Sequence, residues 1–141
     1  MKEYILDACA LIAYRRDEPG ANVIQDILME ARADKIKLSM HLLNLTEVYY
    51  GEYRKSGEIA AHAVIRDISE LPITLIEDLN MEILKVAGRF KARNKMSLAD
   101  AVVSAVATLS NATIITADGE FMPLSTSGEV SIQFFRDPIK K

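Results

Sequence analysis

The chain has 141 residues, half of them hydrophobic and about a quarter charged, a size that suits one domain around one core. A net charge of −3 does not by itself point to a nucleic-acid binder, and does not exclude one, because a cluster of acids would hide a local basic surface in the total. The single cysteine, Cys9, has no partner for an intramolecular disulfide, and the apolar run in MKEYILDACALIAY is too short and too interrupted by charge for a signal peptide or membrane span; a cytoplasmic protein is the expectation.

Residues 3–6 (EYIL) read as a buried strand ending at Asp7, and ACALIAY continues as a short helix that Pro19-Gly20 breaks. From 21 to 33 the apolar positions 23, 24, 27, 28 and 31 follow helical spacing, and 37–40 is a second strand. A helix over 42–54 carries Glu47, and Gly57 separates it from another over 58–69. Pro72 precedes the third strand, ITLI. In 79–94, Leu79, Ile83, Val86, Ala87 and Phe90 share one helical face, while Lys85, Arg89 and Arg93 recur every fourth position on another. Residues 97–110 open with Ser-x-x-Asp, as a capping box does, and continue the stripe Leu98, Ala101, Val102, Ala105, Val106, Leu109 until Asn111. TIIT at 113–116 is the fourth strand, followed by an Asp118-Gly119 turn, a Ser/Thr/Gly loop at 125–128 and an edge strand near 130–134. Short strands alternating with helices indicate an α/β sandwich with a mainly parallel sheet.

Four acids stand where apolar segments end or turn: Asp7, Glu47, Asp100 and Asp118. In open parallel sheets ligands bind outside the carboxyl ends of the strands. Asp7 directly follows strand one, Asp118 lies two residues past strand four, Asp100 falls in the first turn of its helix, and Glu47 sits one to two turns into the helix after strand two. This topology allows all four to converge. Carboxylates packed together beside apolar chain repel one another unless a cation neutralises them. Their oxygens suit hard ions such as Mg²⁺ and Mn²⁺, which activate water and stabilise charge on a phosphoryl oxygen. No Ser-His-Asp set, Cys-His set or P-loop glycine pattern is present, so a metal-activated water is the economical nucleophile.

Each residue also has a plainer reading. Asp7 could be a helix cap, Glu47 an exposed helix residue, Asp100 a capping-box acid accepting from the Ser97 amide, and Asp118 a turn former. Cys9 reads as packing, His41 and His62 lack zinc-site spacing, and Leu42, Leu45, Tyr49 and Tyr53 suit core or interface. The basic set Lys85, Arg89, Lys91, Arg93 and Lys95 is either a solvated helix face or a phosphate track leading toward Asp100.

Taken together, YILDACALIAY, LLNLTEVYYG, SLADAVVSAVA and ATIITADGEF resemble the PIN-domain family over essentially the whole chain, residues 1–141, and particularly its short single-domain VapC-type toxin ribonucleases. The resemblance implies a three-layer α/β/α sandwich with about five strands, and metal-binding carboxylates at Asp7, Glu47, Asp100 and Asp118. It also implies supporting hydroxyls at Ser97 and Thr116, and a further acid at Glu120 that supports the first ion or binds a second. Ala8 departs from the family pattern, where Ser or Thr often follows the first Asp. The implied activity is that of a Mg²⁺- or Mn²⁺-dependent endoribonuclease, a homodimer restrained by a small antitoxin. Two other functions fit the same residues: a catalytically silent PIN-fold module that holds RNA or a protein, and a metal-dependent phosphatase or DNA nuclease.

Overall fold

Alternation along the strands decides which layer each side chain enters. In β1 (Lys2–Leu6) the neighbours Ile5 and Leu6 are both buried but face opposite ways, and Ile114 and Ile115 repeat this in β4 (Thr113–Asp118). Strands buried on both faces need helices on both faces, which is the condition for a parallel sheet. The computed structural model, which describes residues 1–139, meets it with five parallel strands in the order β3-β2-β1-β4-β5. The remaining strands are β2 (Ile36–His41), β3 (Thr74–Ile76) and β5 (Ser131–Ile139).

Helices α1 (Ala8–Arg15) and α2 (Ala21–Arg32) cover one face, where Ala10, Ile24, Ile27 and Leu28 pack with Leu6, Leu38 and Ile115. Two further helices, α5 (Met81–Arg93) and α6 (Leu98–Ser110), cover the other, with Ile83, Phe90, Val102 and Val106 against Ile5 and Ile114. A third cluster joins Leu11 and Met40 to the pair α3 (Leu42–Ser56) and α4 (Glu58–Ser69) through Leu45, Val48, Val64 and Ile68. Gly20 has φ +92°, and a Cβ there would lie 2.6 Å from the Phe135 ring, so only glycine lets α2 start this close to β5.

The chain lays its strands outward from β1 to β3, then returns to place β4 on the other side of β1. This reversal is the switch point where a crevice opens beyond the carboxyl ends of the strands. Leu6 pairs with Ile115, and the Asp7 amide donates to the Ile115 carbonyl at 3.3 Å, so Asp7 and the end of β4 emerge side by side.

Several expectations are corrected. The segment expected to be a loop at 125–128 is instead the end of a helix, α7 (Met122–Ser127): Pro123 stands in its first turn and Gly128, at φ +77°, closes it. β4 runs on through a register shift to Asp118 rather than stopping at 116, because β5 continues to pair with it. Leu79 does not join the buried face of α5. Asn80 caps that helix, its side chain accepting from the Ile83 amide at 2.9 Å, and Leu79 is left outside and exposed. Leu98 and Leu109 are also exposed at the two ends of α6, whose buried side is made largely of Ala and Val. Among the described residues no helix is long and apolar enough to cross a membrane.

Candidate metal centre

Asp7 occupies the junction between β1 and α1, and both oxygens of its carboxylate are engaged. Oδ1 caps α1 by accepting from the Ala10 amide at 2.9 Å, and Oδ2 accepts from the Thr116 hydroxyl. The Thr116 hydroxyl oxygen in turn accepts from the Asp118 amide at 3.0 Å, and Asp118 Oδ1 accepts from the Glu120 amide at 2.9 Å. The capping reading of Asp7 is therefore correct as far as it goes, but Asp7 is only 2% exposed, where a solvated cap has no need to be.

Asp100 arrives from the opposite face of the sheet, buried in the first turn of α6. Its amide donates to the Ser97 hydroxyl oxygen at 3.1 Å, and the Ser104 hydroxyl donates to its carbonyl at 2.8 Å. The cap thus runs from the Asp100 amide to Ser97 Oγ.

Asp7, Glu47, Asp100, Asp118, Glu120 and Ser97 line one open pocket of about 340 Å³ at the carboxyl edge of the sheet. All four expected acids are brought to it, and Thr116 is fully buried behind Asp7. Sequence reading missed Glu18, Ile12 and Tyr50, which complete the wall. It also passed over Asn44, fully buried although polar; an amide among the apolar positions of LLNLTEV was the available signal. Lys85, Arg89 and Arg93 are exposed on α5, outside the lining, with the Arg93 end of α5 leading into the turn that begins α6.

Burial and mutual repulsion set the electrostatics. Desolvation pushes the Asp7 carboxyl up to about 7, with the Asp118 and Glu47 charges adding to the rise and the Thr116 hydroxyl and Ala10 amide opposing it. Asp100 is also pushed up to about 7, first by desolvation and then by Asp7, Asp118 and Glu47, with the Ser97 hydroxyl opposing. The Cys9 thiol beside them is pushed up to about 11 by burial and by Asp7, which leaves it protonated and a poor nucleophile at neutral pH. His41 caps α3: Nδ1 accepts from the Leu43 amide at 3.1 Å, so Nε2 donates to the Asp78 carbonyl at 2.7 Å. Both nitrogens are used structurally. His62 lies exposed 3.7 Å from Glu58.

Acidic oxygens gathered in one pocket, two of them on carboxyls that resist ionisation first because they are buried and then because their neighbours are acids, are the chemistry a hard divalent ion satisfies. The residues present fit such an ion. Among the described residues no group of three His, Cys, Asp or Glu side chains stands in a ligating arrangement.

A doubly covered parallel sheet with an acidic pocket at its switch point defines a class of α/β protein whose candidate site lies at the carboxyl edge of the strands. Residues 4–123 match the model of the PIN domain, and the chain belongs to the PIN-domain family. Comparison with curated proteins finds no match. Among solved structures the fold is similar to VapBC2 from Rickettsia felis bound to a promoter DNA fragment, with a TM-score of 0.73 and 12% identity over 94% of this chain and 98% of that one. It is similar also to VapBC-1 from nontypeable Haemophilus influenzae (TM-score 0.67, 18% identity, 94% and 98% covered). A third similar fold is Mycobacterium tuberculosis VapC20, described as a sarcin-ricin loop cleaving toxin (TM-score 0.66, 16% identity, 85% and 93% covered). At these identities the likeness concerns the fold.

Proposed function

We propose that residues 1–141 act as one PIN domain with divalent-metal-dependent endoribonuclease activity, the toxin of a toxin–antitoxin pair. The observation that carries this reading is the meeting of Asp7, Glu47, Asp100 and Asp118 in one pocket, with two of them pushed up to about 7. These four residues hold Mg²⁺ or Mn²⁺, with Glu120 at the rim available to support that ion or a second. The ion, when bound, supplies Lewis-acid stabilisation of a phosphoryl oxygen and acidifies a water for attack on the phosphodiester.

The chain's own residues do the rest. The Thr116 hydroxyl and Ala10 amide hold the Asp7 carboxylate in one orientation and favour its ionised form. Ser97 does the same for Asp100. Lys85, Arg89 and Arg93 form a cationic row on α5 that contacts phosphates and positions RNA without reading its sequence. The exposed Tyr50, Tyr53, Ile59 and Ile65 on α3 and α4 are apolar surface that a small antitoxin would cover. The similarity in fold to VapBC structures supports the antitoxin partner, and a homodimer and a cytoplasmic location complete the proposal.

The test is RNA cleavage by purified, partner-free protein with Mg²⁺ or Mn²⁺, beside EDTA and Asp7→Asn controls of verified fold. Metal-dependent cutting lost in both controls is the expected result, and a panel including DNA and phosphomonoesters separates ribonuclease from DNA nuclease and phosphatase. A well-folded, metal-loaded protein that cuts none of these would overturn the reading in favour of a silent interaction module.

A further inference from the structure

Asn44 is fully buried in the first turn of α3, and neither its side-chain oxygen nor its nitrogen has a hydrogen-bond partner. An amide left this way loses its hydration with nothing in exchange, so the residue requires an explanation. Its position on the helix supplies one. Leu43 packs toward the core that contains α6, while Leu45 and Val48 pack toward the core that contains Leu11 of α1. On a wheel of about 100° per residue, Asn44 falls between Leu43 and Val48, and so faces the seam between α6 and α1. Asp100 starts one wall of that seam and Asp7 the other, and α3 contacts both helices.

Glu47 lies one turn further along the same side of α3, about 4.5 Å along the axis and about 60° around from Asn44. Side chains on a helix lean toward its N-terminus, so the Glu47 side chain reaches back over the turn that carries Asn44. The unpartnered amide of α3 and the acid that α3 contributes to the pocket thus stand three residues apart on one side of the helix, the spacing at which side chains are neighbours.

We infer that Asn44 is a positioning residue of the carboxylate site, whose side-chain N–H groups donate to the Glu47 carboxylate when Glu47 binds the cation. The inference rests on the metal-site reading above and goes beyond it by assigning a residue outside the acid set. Carboxylates that bind a metal are held in orientation by hydrogen bonds to their remaining lone pairs, and loss of such a partner typically weakens metal binding by about 10–100-fold.

The experiment is calorimetric titration of the whole chain with Mn²⁺ for the parent, Asn44→Leu, Glu47→Ala and the double variant, alongside thermal unfolding without metal. Leucine keeps the number and branching of the side-chain heavy atoms and removes the unsatisfied amide but is bulkier, so metal-free Asn44→Leu should stay folded and unfold within a few degrees of the parent. Its Mn²⁺ affinity should fall about 10–100-fold, while in the Glu47→Ala background the same change should cost less than about twofold, because the partner is already gone. Asn44→Ala provides the same comparison if the leucine variant does not fold. Parental Mn²⁺ affinity in the single variant, or an undiminished loss in the Glu47→Ala background, would overturn the assignment while leaving the nuclease reading intact. A parent that binds no Mn²⁺ would overturn both.

Discussion

The floor of the pocket and the exposed face of α5 carry opposite charge and are held in opposite ways. Asp7 is buried, tied by Thr116 and the Ala10 amide, and has its carboxyl pushed far from the usual range by burial and like charges. Lys85, Arg89 and Arg93 extend into solvent from a helix whose other side is anchored by Ile83, Ala87 and Phe90. Within that row Arg89 lies over the Phe90 ring at 5.3 Å. The contrast teaches which charges are stored against a cost and which are displayed at none. Stored charge is suited to chemistry, where a fixed geometry matters; displayed charge is suited to steering and grip, where number and screening matter.

The comparison is broken most severely by Asp7→Asn, which keeps shape and removes charge. Cleavage of RNA should fall at least about 10²-fold with circular dichroism unchanged. Retained activity would mean that the buried floor has no chemical role.

A second, thermodynamic effect follows from the same carboxyls. Asp7 and Asp100 titrate near 3.8 when unfolded and near 7 in the fold. Between these values the folded chain binds more protons than the unfolded one, so their contribution is fully present below about 3.8, declines as pH rises and is gone above about 7. In metal-free protein, Asp7→Asn should therefore be more stable than the parent above pH 7, by on the order of a few kcal/mol, with the advantage shrinking toward pH 4. Mg²⁺ should raise the parental Tm more at pH 8 than at pH 5. A gap between parent and variant that does not change with pH would show that the floor is not charged against a cost.

Thr116→Val sharpens the picture with a smaller change. It removes the donor that favours ionised Asp7, so the acid limb of the pH–rate profile should move to higher pH, and the rate at pH 7 should fall by up to about tenfold. An unmoved acid limb would dissociate Thr116 from the site.

The smallest effect is expected on the displayed side. Arg89→Ala with Arg93→Ala should weaken single-stranded RNA binding several-fold and reduce the slope of log affinity against log salt by about 1.4, since each phosphate contact contributes roughly 0.7. Metal affinity should be untouched. An unchanged slope would make the row a solvated face and nothing more.

Much of this is legible in the sequence. The stretches over Val102, Val106, Ile114 and Ile115 are strongly apolar and periodic, and Ser97 and Asn111 mark the helix between them, its N-cap and its left-handed C-cap. The acids were visible because each interrupts or ends an apolar run. Helix α7 was not visible: its Ser-Thr-Ser-Gly composition is that of a loop, and it is held by Leu124 packing into the core under α5 and α6. Leu79 carried the right periodicity but lay beyond the Asn80 cap, a local hydrogen bond that overrides the pattern.

The sequence by itself determined the strand and helix alternation, the parallel class of the sheet and the identity of the acids that meet in the pocket. Those depend on periodicity, burial preference and side-chain chemistry, which are local properties of the chain. Only the tertiary structure decided that β4 returns beside β1, that Thr116 and the Ala10 amide share the Asp7 carboxylate between them, and that Asp7 and Asp100 become costly to ionise. These follow from contacts between residues as much as 109 positions apart, and from an exclusion of water that no single segment can produce alone.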